Sequence, residues 1–293
     1  MKKTIFTGAG VAIVTPFNKD LSVNYDKLGE LIEYQIKNNT DAIIICGTTG
    51  EASTLTDDEH KDCIRFAVEK VAGRVPVIAG TGSNDTAYAI ELTRYAKEVG
   101  ADAYLNVTPY YNKTTQRGLI KHFTAIADAV ELPAILYNVP GRTGMTIAPE
   151  TYKELCKHPN IVATKEASGK VDDVVRIRDL CGDDLDIYSG EDGLITPMLS
   201  LGAKGVISVL SNIKPQETHD ICETYFRGNI SASAALQIKY SKLIDALFCE
   251  TNPIPVKAAL NILGFDVGEC RLPLYEMGEA NLARIKAAIE DVK

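Results

Sequence analysis

Asn160-Ile161-Val162-Ala163-Thr164-Lys165 is an apolar run that closes on a lysine and runs into Glu166-Ala167-Ser168-Gly169. Ala134-Ile135-Leu136-Tyr137 ends in the same way, in Asn138-Val139-Pro140-Gly141-Arg142-Thr143-Gly144. Ile43-Ile44-Ile45-Cys46 does so a third time, in Gly47-Thr48-Thr49-Gly50-Glu51. Near-continuous apolar runs mark strands covered on both faces, as in parallel sheets. Each of these delivers polar groups at its C-terminal end, the edge on which parallel αβ folds build their chemistry.

Five more Val- and Ile-rich runs accompany these three, at Gly10–Val14, Val75–Ala79, Ala103–Val107, Leu185–Tyr188 and Gly205–Val209. Stretches of helical period separate most of them. Leu28, Leu31, Ile32, Gln35 and Ile36 give one apolar face, and Ala87, Ile90, Leu92, Tyr95 and Ala96 another. Thr56-Asp57-Asp58-Glu59 and Ser83-Asn84-Asp85 signal helix starts, and Gly73 and Gly100 helix stops. Eight strand–helix units predict a (β/α)8 TIM barrel. A doubly wound sheet fits less well, since no Gly-x-Gly-x-x-Gly leads the first strand into a helix; Gly8-x-Gly10 stands before that strand. After Gly228 the pattern turns helical, over Ser231–Phe248, Pro255–Leu263 and Gly278–Ile289. The reading is a barrel catalytic domain over 1–227 and a C-terminal helical domain over 228–293.

The chain has 293 residues, 45% of them hydrophobic, and a net charge of −8. Lys and Arg are scattered, which argues against nucleic acid or an anionic membrane surface as partner. No apolar run has the length of a membrane span. Met1-Lys2-Lys3 is basic, but the apolar run after it reads as a first strand and not as a signal peptide. The expected location is cytoplasmic. The seven cysteines form no Cys-x-x-Cys pair and are expected reduced; Cys46 reads as a small buried residue. The four histidines, His60, His122, His158 and His219, lack ligand spacing, so neither a metal nor a cofactor is expected.

A primary amine at the catalytic edge of a barrel can lose its proton and attack a carbonyl, forming a Schiff base. Lys165 is so placed. Strand alternation points Lys165, Ala163 and Ile161 into the barrel together, with small Ala163 leaving room for the lysine stem. Tyr137 ends the preceding strand at the matching height, above Ile135. A phenol beside an amine can pass protons during carbinolamine formation and dehydration. Taken alone, such a lysine is more often exposed and such a tyrosine more often core. Three motifs meeting at one rim reverse that. Gly47–Glu51 suits a carboxylate, since turns with free backbone N–H groups form anion nests. Arg142 supplies a guanidinium that favours bidentate anion partners; a surface ion pair is the competing account.

Gly47–Glu51, Tyr110-Tyr111-Asn112-Lys113, Tyr137–Gly144 and Ile161–Ser168 together resemble the pyruvate-dependent class I aldolase family. Within it they are similar to the branch that joins pyruvate to aspartate semialdehyde. The resemblance runs from Gly10 to Asn252-Pro253-Ile254-Pro255-Val256-Lys257. It implies an imine on Lys165 and a proton relay of Tyr137, Thr48 and Tyr111, the last supplied by a neighbouring subunit of a homotetramer. It also implies Thr49 at the pyruvate carboxylate, Arg142 at the semialdehyde carboxylate, and Gly190 and Ile207 as pocket-lining backbone. Thr114 departs from the proline common at that place. Two other readings are an aldolase for a sugar-derived 2-keto acid and a catalytically silent keto-acid sensor. Retention of Lys165, Tyr137, Thr48 and Arg142 weighs against the second. In lysine-inhibited members an interface site binds the end product. His60, Asn84 and Tyr110 match that site. Ala52-Ser53, Asp57 and Tyr88 do not, Tyr88 standing where those members have a glutamate. Weak or absent lysine regulation is expected.

Overall fold

The computed structural model describes residues 2–292. Eight parallel strands close into one barrel in chain order: β1 Gly8–Ala12, β2 Ala42–Ile45, β3 Val77–Gly80, β4 Ala103–Val107, β5 Ala134–Asn138, β6 Ile161–Glu166, β7 Asp186–Ser189 and β8 Gly205–Ser208. β1 pairs with β2 on one side and with β8 on the other, so no strand edge is left open. Helices follow the strands, as the alternating pattern predicts.

Strand alternation divides the apolar residues into two cores. Ala12, Ile44, Ile78, Leu105, Ile135, Ala163, Tyr188 and Ile207 fill the barrel interior. Val11, Ile43, Ile45 and Ala79 face the helices outside. The floor is plugged by Phe6, just before β1. Tyr188 stacks on its ring at 4.3 Å and donates its hydroxyl to the Phe6 carbonyl at 2.7 Å. At Gly10 a Cβ would lie 2.7 Å from Ile44 Cδ1 and 2.9 Å from Phe6 Cζ, so only glycine lets the plug seat.

Several expectations need correction. β1 begins at Gly8 and ends at Ala12, two residues earlier than Gly10–Val14, so the Gly8-x-Gly10 pair belongs to the strand. Val14 leaves the ladder because its N–H bonds the Asn212 side chain at 3.1 Å. Ile161 does not share the inward face of Lys165. Register slips between Ala134↔Ile161 and Ile135↔Ala163, so Val162 is an extra residue and Ile161 packs with the outer helices. The Thr86–Glu98 helix buries Ala89, Leu92, Thr93 and Ala96, whereas Ala87 is exposed and Ile90 and Tyr95 are half-buried. Thr93 takes a core position because its hydroxyl is satisfied by Thr81 at 2.7 Å and the Ala89 carbonyl at 2.6 Å. The helix starts are as read: Thr56 makes a capping box with Glu59, and Asp85 caps Ala87 at 2.9 Å.

The C-terminal part carries helices Ile230–Lys239, Ser241–Leu247, Ile254–Ile262 and Glu279–Glu290. The single helix expected over Ser231–Phe248 is two, broken where Tyr240 turns into the core at 2% exposure. Leu243, Leu247, Val256, Leu260 and Ile285 join one apolar cluster with Val11, Leu31, Ile32 and Val209. The tail is thus packed on the barrel, and truncating one such leucine to alanine costs about 2–5 kcal/mol.

Candidate active site

The β5–β6 ladder pairs Tyr137 with Lys165 and Ile135 with Ala163. Both side chains of the upper pair are 6% exposed. The Lys165 amine lies over the Tyr137 ring, 4.3 Å from its centroid. Two strands in register hold the backbones of the two residues side by side, so amine and phenol share one place at the rim. Gly190, one residue past β7, bounds the lysine stem: a Cβ there would lie 2.6 Å from Ala167 Cβ and 3.1 Å from Lys165 Cε. Its N–H donates to the Glu166 carbonyl at 2.8 Å. Ser189 pairs with Val206, so Gly190 and Ile207 continue the same register on β7 and β8.

The turn after β2 is held by its own backbone. Gly50 N–H donates to Gly47 O and Glu51 N–H to Thr48 O, each at 3.1 Å. Cys46 and Glu51 both take positive φ, 54° and 53°, which bends the turn over the barrel mouth. Thr49 is 3% exposed, and its hydroxyl accepts from Asn252 Nδ2 at 2.9 Å. Asn252 also offers its backbone carbonyl to Arg142 Nη2 at 3.0 Å.

Beneath the turn lies a buried ion pair that sequence reading missed. Lys257 Nζ and Glu51 Oε1 are 2.9 Å apart, with side-chain exposures of 2% and 0%. Lys257 also donates to Thr15 O at 3.2 Å and Glu269 O at 2.6 Å, and sits 4.3 Å over the Phe17 ring. Glu51 Oε2 accepts the Arg271 N–H at 2.9 Å. Burial pulls the Lys257 pKa down, and Glu51 opposes that pull. The only signals available were an acid inside a glycine-flanked turn and a lysine closing the Asn252–Lys257 segment.

A second missed cluster backs the strand on its outer side. Glu166 accepts both carboxylate bonds from Asn138 Nδ2, at 3.0 and 2.9 Å, and another from Ser168 N–H at 2.8 Å. Burial raises its pKa, and these hydrogen bonds work against the rise.

One cavity of about 420 Å³ opens at this end of the barrel. Thr48, Tyr137 and Arg142 line it together with His60, Asp57, Tyr88 and Tyr110, whereas Lys165, Thr49, Gly190, Ile207 and Tyr111 are not among its lining residues. His60 is buried against Gly80 O at 2.8 Å, and desolvation lowers its pKa. Asp57 reaches the cavity, but there it accepts the Tyr88 hydroxyl at 2.7 Å. Tyr111 stands apart from the others. It is 93% exposed at φ 66°, in a loop pinned by Asn84 Nδ2 to Tyr110 O at 3.1 Å and by Asn112 Nδ2 to Asn84 O at 2.9 Å. Lys204, which stands before the last strand as another lysine beside a buried run, lies at the opposite end of the barrel just before β8, 3.9 Å from Asp186.

A phenol, a threonine hydroxyl and a guanidinium line one cavity, and the Lys165 amine lies against that phenol; such a set can form an imine and bind anions. The chain matches the dihydrodipicolinate synthetase family over residues 5–292. A 4-hydroxy-tetrahydrodipicolinate synthase of Acetivibrio thermocellus is 57% identical over 99% of this chain and 99% of that protein. The chloride-inhibited dihydrodipicolinate synthase of Acinetobacter baumannii, solved with pyruvate, superposes with a TM-score of 0.96 at 45% identity, over 99% of each chain. The enzyme of Cyanidioschyzon merolae, solved with lysine bound, gives 0.96 at 42% identity, also over 99% of each chain.

Proposed function

This chain belongs to the dihydrodipicolinate synthetase family, and from that premise we propose that it condenses pyruvate with aspartate 4-semialdehyde to 4-hydroxy-tetrahydrodipicolinate. The reaction is of lyase type and serves lysine and diaminopimelate biosynthesis. Lys165 attacks the pyruvate carbonyl, and loss of water leaves an imine. Removal of a methyl proton gives an enamine, whose carbon adds to the semialdehyde. Cyclisation through the semialdehyde's amine then displaces the lysine. Tyr137, Thr48 and Tyr111 of a neighbouring subunit move the protons. Thr49 holds the pyruvate carboxylate, Arg142 the semialdehyde carboxylate, and Gly190 and Ile207 shape the wall. The observation that carries this reading is the buried Lys165 amine lying 4.3 Å over the Tyr137 ring.

Tyr111 supports a homo-oligomer, a tetramer in our reading. The exposure of Tyr111, 93%, supports a role in another subunit's site rather than its own. We assign residues 1–227 to the catalytic barrel and 228–293 to the helical domain. The cytoplasm is the proposed location; all seven cysteines are free, and no helix among the described residues is long and apolar enough to cross a membrane. A coupled assay with aspartate semialdehyde, run beside one with a sialic acid, tests the substrate. Turnover of the semialdehyde is expected; turnover of the sugar acid alone would overturn the assignment.

A further inference from the structure

Asn252 touches both proposed carboxylate sites at once. Its side-chain amide donates to the Thr49 hydroxyl at 2.9 Å, and its backbone carbonyl accepts from Arg142 at 3.0 Å. It is 5% exposed and comes from the C-terminal part, far along the chain from either site. A hydroxyl has one proton to give. The Thr49 oxygen already accepts a hydrogen bond, and among the described residues nothing takes its proton. That proton is free to be donated, the polarity an anion needs. The Asn252 Oδ1 is buried and takes no hydrogen bond from Thr49.

We propose that Asn252 is a positioning residue that orients Thr49 to donate its proton to the first substrate's carboxylate, while its backbone fixes the Arg142 guanidinium for the second. The inference rests on the reading of Thr49 and Arg142 given above. It divides the residue by substrate. The side chain governs pyruvate, and the main chain governs the semialdehyde. Side-chain substitutions therefore shift one affinity and spare the other. A residue that only braced the fold would shift both.

The test is the pyruvate concentration that half-saturates borohydride trapping, measured beside the KM for semialdehyde. Asn252→Asp replaces the donor by an acceptor, which captures the Thr49 proton and sets a negative charge beside the site. It should raise half-saturating pyruvate about tenfold or more, since hydrogen bonds to charged groups are among the stronger ones. Asn252→Ala should raise it severalfold by letting the hydroxyl rotate. The semialdehyde KM should change less than twofold in both. Unchanged trapping in Asn252→Asp, or both substrates weakened together, overturns the proposal. Should the aspartate variant fail to fold, Asn252→Ala is compared in a Thr49→Val background, where it should add nothing; a full additional loss there overturns the coupling. Thr49→Val alone separates the two levels. If it leaves pyruvate half-saturation unchanged, the reading of Thr49 itself is wrong and the inference falls with it. If it weakens pyruvate while both Asn252 variants do not, only the inference falls.

Discussion

The β5–β6 seam and the turn after β2 solve the same problem of positioning by opposite means. At the seam, Tyr137 and Lys165 are paired residues on adjacent strands, and the sheet's own hydrogen bonds fix them. At the turn, Thr49 and Glu51 are held by Asn252 and Lys257, about 200 positions away, through side chains. In the proposed reaction the seam carries the covalent chemistry, where an error of about 1 Å in placement costs on the order of 10² in rate. In that proposed reaction the turn carries recognition, and its own backbone bonds are reinforced by side chains from the C-terminal part. Chemistry is therefore expected to survive damage to the tail better than substrate binding does.

The sharpest way to break this contrast is at the seam. Lys165→Ala should abolish borohydride-trapped pyruvate and lower turnover by more than the 10²–10⁴ typical of losing an acid–base group, because the nucleophile itself is gone. In the native protein, intact mass and peptide mapping should show one reduced adduct, on the peptide holding Lys165. An adduct on Lys204 would remove the amine from the seam altogether. Next in size is Tyr111→Phe, expected to lower turnover about 10²–10⁴-fold with pyruvate trapping little changed. Full activity would show that no proton passes through that phenol. Mixing Tyr111→Phe with Lys165→Ala subunits sharpens it further: sites that combine a native Lys165 with a native neighbour's Tyr111 should regain activity.

The turn is tested at its ion pair. Lys257→Met leaves Glu51 buried and uncompensated, and breaking a buried pair in this way costs about 3–5 kcal/mol. The expected result is a lower denaturation midpoint and weakened pyruvate binding, with the Lys165 adduct still formed at saturating pyruvate. Glu51→Gln with Lys257→Met should recover part of the stability, since no lone charge remains. Loss of trapping at any pyruvate level would show that the turn supports the chemistry as well as the recognition.

The same contrast explains what the sequence made legible. Eight apolar runs and their punctuation specify the barrel, because each strand is local and buried on both faces. Lys165 and Tyr137 were readable for that reason: register places the ends of consecutive strands side by side. The inward face assigned to Ile161 failed because one extra residue, Val162, slips the register, and no local residue type marks such a bulge. Glu51–Lys257 and Asn252–Thr49 were invisible because they join segments that only the tertiary fold brings together. A polar residue in the tail looks the same in sequence whether it is solvated or buried against a turn.

The smallest expected effect concerns the far side of the cavity, which shares a wall with the seam but none of its chemistry. A bound amino acid there needs a carboxylate for its ammonium. Where the resemblance implies a glutamate in lysine-inhibited members, Tyr88 stands instead. Asp57 is the one acid among the lining residues, and it already accepts the Tyr88 hydroxyl at 2.7 Å. Desolvation lowers the His60 pKa, which favours its neutral ring. To bind an ammonium, Asp57 would have to release or share its tyrosine, and a poorly paired buried cation costs several kcal/mol. Lysine at the order of 1 mM, the scale of weak metabolite affinity, should therefore leave turnover at saturating pyruvate nearly unchanged. Tyr88→Glu should create sensitivity by supplying the missing carboxylate. Half-inhibition of the native protein at or below that level would show the Tyr88–Asp57 bond opening for the ligand. If Asp57→Asn then abolished the inhibition, Asp57 would be the substitute carboxylate, and the far wall would be coupled to the seam after all.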